Sequence, residues 1–130
     1  QHWIYLNPEH TREERTACWL KLGERFGGGV DWSGLESEHE AMWHRQLHPF
    51  EVPFYYVEYG IAQLGALQMW LQYRNDATSA IEAYKEGLTL GASKPLPQLF
   101  ETSGLKFDFS AEMVGELMDI VEEELGNNAE

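Results

Sequence analysis

An all-α domain is the fold this sequence predicts, on three observations. Apolar residues recur at helical spacing in several long stretches, and glycine and proline punctuate the gaps between them. No two segments show the alternation that a strand pair needs. The chain has 130 residues, enough for a single buried core, so residues 1–130 read as one multi-helical domain with short loops.

Taken in order, Asn7-Pro8-Glu9 supplies a cap, a first-turn proline and an acidic first turn. The helix it opens should carry Ala17, Trp19, Leu20 and Leu22 and stop near Phe26 at Gly27-Gly28-Gly29. That triple glycine follows a helix and has no Lys-Ser/Thr pair after it, so it reads as a connection and not a phosphate loop. Ser33-x-x-Glu36 is a capping-box pattern, predicting a second helix through Leu35, Met42, Trp43 and Leu47. Pro49 should end it, because the residue before a proline is pushed out of the α region. A third helix is expected from about Pro53 to Tyr73, with Gly60, Ala62, Gly65 and Ala66 allowing a close neighbour.

Asp76 is a plausible cap for a fourth helix, Ala77 to Leu90, closed by Gly91 in the left-handed conformation. Pro95-Leu-Pro97 should start a short helix to about Thr102, broken by Gly104. Leu105, Phe107 and Phe109 then alternate as an extended apolar clamp. Ser110 caps the last helix, which carries Met113, Leu117, Ile120, Val121 and Leu125 and should end at Gly126, with Asn127 to Glu130 fraying. Glu122-Glu123-Glu124 reads as a solvated helix end.

Composition narrows the function. With 43% hydrophobic and 24% charged residues the chain is an ordinary globular one. A net charge of −13 argues against nucleic acid and against anionic lipid, both of which need a basic footprint. Cys18 is the sole cysteine, so there is no internal disulfide, and it reads as a small buried apolar residue in a reducing compartment. Neither a secretory signal nor an apolar run of about 18 residues is visible, which points to a cytoplasmic protein. The first residue is Gln, as expected of a piece of something longer.

The chemistry gathers between His48 and Trp70, in HPFEVPFYYVEYGIAQLGALQMW. A histidine next to a proline is followed by three tyrosines within five positions, Tyr55, Tyr56 and Tyr59. If the third helix starts at Pro53, Tyr55 and Tyr59 lie on one face, one turn apart. Successive helical residues diverge by about 100°, so at least one phenol must face a cleft or a partner. Histidine and phenols are all donors able to reach an oxyanion. Taken alone, the same pattern also fits a histidine bonded within its joint and tyrosines packed in a core.

The run from His48 to Tyr59, with Ile-Ala-Gln-Leu-Gly-Ala-Leu-Gln after it, resembles the C-terminal part of oligoendopeptidase F-type zinc metallopeptidases, relatives of thimet oligopeptidase. The resemblance extends through Ala83-Tyr84-Lys85, Gly91 to Phe100 and Gly104 to Ser110, most of the chain. It implies that His48, Tyr55 and Tyr59, with Tyr56 beside them, bind the peptide substrate and stabilise the tetrahedral intermediate. It also implies zinc in the full-length parent.

The family's His-Glu-x-x-His motif is absent from the sequence. His39-Glu40-Ala-Met-Trp-His44 sets its histidines five apart, and His44-Arg45-Gln-Leu-His48 places a guanidinium where a carboxylate base is needed. The expectation is therefore a substrate-binding wall with no metal ligand and no zinc of its own, inactive in isolation. The zinc-bearing segment would be its missing partner, and the uncovered face should self-associate. Two other readings stand beside this one. A non-catalytic helical binding module is suggested by Ala80 to Leu90, which resembles one tetratricopeptide helix without a second unit about 34 residues away. A small metal site is suggested by Glu40, His44 and His48, four apart on one helical face.

Overall fold

The computed structural model describes residues 1–127, the last by its backbone alone. It is all-α, with no strand among the described residues. Its contacts concentrate in two compact units, Gln1–Tyr56 and the part from Val57 onward. The first unit holds α1 (His2–Leu6), α2 (Arg12–Phe26), α3 (Glu36–Ala41), a 3₁₀ turn (Met42–Arg45) and α4 (His48–Glu51). The second holds α5 (Val57–Asn75), α6 (Ala77–Thr89), α7 (Leu96–Thr102) and α8 (Ala111–Asn127).

The second unit forms where its local signals say it should. Asp76 accepts from the backbone N–H groups of Thr78 and Ser79, both at 3.1 Å, and caps α6. Gly91 follows at φ +52°, open to a glycine and costly for other residues. Ser110 Oγ accepts from Met113 N at 3.2 Å and caps α8, which runs on past Gly126 to Asn127. The expectation for the tail beyond Asn127 lies outside the described residues. Both α6 and α8 pack on α5, and α7 packs on α6. Ala80, Phe100, Met113 and Leu117 are buried there. Phe100 reaches α5 because residue 65 is glycine, where a Cβ would stand 3.0 Å from its ring.

The 105–109 stretch has no regular secondary structure, and α5 holds it and the preceding Gly104 by polar bonds. The buried Gln68 amide donates to Lys106 O at 3.0 Å, while its oxygen accepts from Lys106 N at 2.8 Å. One turn on, Gln72 donates to Gly104 O. Phe107 stands edge-on between Phe100 and Phe109, at 5.2 and 4.7 Å. Glu124 is no loose helix end, since it pairs with Arg74 of α5 at 2.6 Å.

Boundaries in the first unit move. The capping box belongs to Thr11 and Glu14, not to Asn7-Pro8-Glu9: Glu14 N donates to Thr11 Oγ1 at 3.2 Å and Thr11 N to Glu14 Oε2 at 2.8 Å. The glycine stop after Phe26 is as expected, with Gly28 and Gly29 at φ +67° and +72°. Ser33 does not cap α3. Its hydroxyl and its N–H both donate to Asp31 at 2.6 and 2.9 Å, holding that carboxyl below its ordinary range. Gly34 N–H does the same for Glu36, and α3 starts only at Glu36. Cys18 is half-buried and free.

Candidate functional site

His48 does not close a helix; it opens one. After the 3₁₀ turn, Gln46 takes ψ 108° and breaks the helical path. Pro49 then sits in the first turn of α4, where its missing N–H costs nothing. This break also takes apart the Glu40, His44 and His48 line, whose members fall in α3, the 3₁₀ turn and α4 and share no helical face. No three His, Cys, Asp or Glu side chains gather as a metal-holding group among the described residues. Glu40, His44 and His48 are therefore not the one-face set that their spacing suggests.

The sequence also places the start of the long helix too early. Phe54 adopts φ +64°, a left-handed conformation unusual for a bulky residue, and α5 begins only at Val57. Tyr55 N–H is satisfied by Val52 O at 3.1 Å, in a turn. Tyr55 is therefore not one helical turn before Tyr59. Tyr55 and Tyr56 close the first unit, while Tyr59 stands on the first turn of α5 in the second.

What unites the joint is its aromatic packing. The His48 ring lies parallel to Tyr55 at 6.1 Å and meets Tyr56 edge-on at 5.1 Å. Two phenols thus brace one imidazole, an arrangement that fixes the ring by packing. Next to it Phe50 stacks on Trp43 at 5.4 Å. Tyr55, Tyr56 and Tyr59 keep about half of their surface exposed, at 50%, 46% and 51%. The phenols are neither core residues nor fully free ones, as the divergence of successive side chains requires.

A residue that the sequence reading did not single out locks this joint. Gln1 donates from Nε2 to Pro49 O at 3.1 Å and accepts at Oε1 from Phe54 N at 2.8 Å. One amide thereby bridges the start of α4 and the inverted residue, and Tyr5 packs on the Phe54 ring at 5.1 Å. These contacts span some 50 positions (|i−j| of 48 and 53), and no local pattern signals them.

The second unit carries its own concavity, also unforeseen. An apolar groove of about 690 Å³ runs between α5, α6 and α7, with Met69, Trp70, Ile81, Tyr84, Leu88 and Phe100 in its walls. The small residues of α5 explain it: Ala62, Gly65 and Ala66 all line this face. No helix among the described residues is long and apolar enough to cross a membrane.

Comparison with known proteins places these features in context. A crystal structure of a protein provisionally identified as oligoendopeptidase F matches with a TM-score of 0.82 and 28% identity. The match covers 98% of this chain and 23% of that one, so this chain spans about a quarter of the larger protein's length. Comparison with curated protein sequences gives no match. The model of peptidase family M3 matches residues 1–119. The chain belongs to peptidase family M3.

Proposed function

We propose that this chain is the substrate-binding wall of an oligoendopeptidase F-like zinc peptidase, with His48, Tyr55 and Tyr59 as its oxyanion and backbone donors and Tyr56 as a further substrate contact. The observation that carries the reading is the His48 ring braced by Tyr55 and Tyr56 in a member of family M3. A zinc ion in the intact parent would activate the attacking water. The part played by this chain is to hold the peptide and to donate hydrogen bonds where negative charge develops. Imidazole and phenol N–H and O–H groups suit that role, because a donor fixed in advance loses no reorganisation energy as the carbonyl becomes an oxyanion.

The test is Tyr59→Phe in the full-length enzyme. Removing one oxyanion donor should lower kcat by about 10²–10³ with little change in KM. A change confined to KM would assign Tyr59 to uniform substrate binding and overturn the transition-state role. The 130-residue chain by itself should hydrolyse no fluorogenic oligopeptide, and turnover by it would contradict the reading. Its half-exposed tyrosines should also drive self-association, seen as a concentration-dependent sedimentation coefficient.

A further inference from the structure

We propose that the cleft between α2 and α3 in the first unit is a binding site for a small oxyanion, a phosphate or a carboxylate group. Two helical stripes make it. Arg12, Arg15 and Thr16 stand at i, i+3 and i+4 on α2. Opposite them, Ser37, Glu40 and Ala41 lie on α3, and Trp43 and His44 follow on the 3₁₀ turn. The two stripes are held at a fixed separation further along the same pair of helices. Trp19 Nε1 donates to His39 O at 2.8 Å, and His39 stacks on Trp32 at 4.6 Å. The cleft has a volume of about 260 Å³, room for a phosphate or a peptide end.

Its charge runs against that of the molecule. The chain carries −13 overall, yet this cleft offers two guanidinium groups and an imidazole against one carboxylate, Glu40. In a chain with 22 acidic side chains, neither arginine forms an ion pair among the described residues. Glu14, adjacent to Arg15 in sequence, is already engaged as the second arm of the Thr11 capping box. Arg15 is set in place by the face of Trp43, with its guanidinium carbon 5.4 Å from the ring centre. A stacked guanidinium keeps its N–H edge available for a bidentate contact with a planar or tetrahedral oxyanion. Thr16 adds a hydroxyl donor; the Ser37 hydroxyl is turned to Glu38, donating to its Oε2 at 2.8 Å, and Glu40 opposes the ligand.

Inorganic phosphate titrated into the 130-residue chain, followed by amide chemical shifts, is the direct experiment. Saturable shifts are expected at Arg12, Arg15, Thr16, Ser37 and His44, with Arg15→Gln weakening binding at least about tenfold. Glu40→Gln should tighten it several-fold, a gain that loss of folding cannot imitate, and Arg25→Gln on the far end of α2 should leave it unchanged. No saturable binding, or binding indifferent to Arg15→Gln and Glu40→Gln, overturns the proposal. Peptides with free or amidated C-termini then identify the source of the anion. Competition by the free acid alone assigns the site to a peptide carboxylate, and phosphate binding without such competition assigns it to a free phosphate; either result supports the site.

Discussion

The two units of this chain solve the problem of order in different ways. The second has a small core of Ala80, Phe100, Met113 and Leu117, around which helices and the 105–109 segment are pinned. The first has no buried residue at all among those described, and it is organised by ring pairs, one two-armed glutamine and a capping box. Burial makes a structure insensitive to detail, whereas a lattice of specific polar and aromatic contacts makes each one count. The candidate donors lie at the meeting of these two styles in sequence: His48, Tyr55 and Tyr56 in the first, Tyr59 in the second. Binding residues set on irregular chain and steadied by regular neighbours are a common arrangement.

Changes in the second unit's core should break that comparison most severely. Leu117→Ala removes a side chain that is 3% exposed, and comparable truncations cost about 2–5 kcal/mol. Gln68→Leu should follow. It leaves both the N–H and the C=O of Lys106 without their partner, at about 1–3 kcal/mol for each group left unsatisfied. Thermal unfolding of each variant measures both, and a loss under 1 kcal/mol at either site, set against these ranges, would mean the core is not what holds this unit.

Effects in the first unit should be smaller and local. Phe54→Gly removes the Cβ at φ +64°, whose strain is about 1–2 kcal/mol, and should keep α4 and Tyr55 in place, while the β-branched Phe54→Val should be the less stable of the two. Thr11→Ala removes one arm of the capping box and should cost about 1 kcal/mol. Smallest of all is a pH effect at Asp76. Ser79 O–H and the N–H groups of Ser79 and Thr78 hold its carboxyl below the ordinary range. A lowered folded value means that the stabilisation is complete above the unfolded value and is lost as the pH falls through the folded one. Acid titration of stability should show this loss in the native chain and not in Asp76→Asn. An identical acid limb in both would remove the cap from the account.

The same contrast explains what could be read from residues alone. Asp76, Gly91, Pro95, Gly104 and Ser110 act through neighbours a few positions away, and each marks its element's edge where expected. The Thr11-x-x-Glu14 signal was equally local and was legible, although Asn7-Pro8-Glu9 and Ser33-x-x-Glu36 competed with it. Phe54 was not legible, because nothing in a phenylalanine announces a left-handed backbone and its partner Gln1 is 53 positions away. That one inversion removes the helical relation between Tyr55 and Tyr59. The ring contacts of Tyr55 and Tyr56 with His48 take its place. The acidic run near the C-terminus similarly hid the reach of Glu124 to Arg74, 50 positions earlier.

The proposed function rests most heavily on His48 and Tyr59 acting as transition-state donors in the full-length peptidase. Steady-state kinetics of His48→Gln, Tyr59→Phe and the double variant in the full-length peptidase test it most directly. Residues that act as a unit are strongly non-additive, so the double variant should be within about tenfold of the worse single variant in kcat. Losses that multiply in full, or a single variant with undiminished kcat, would contradict it.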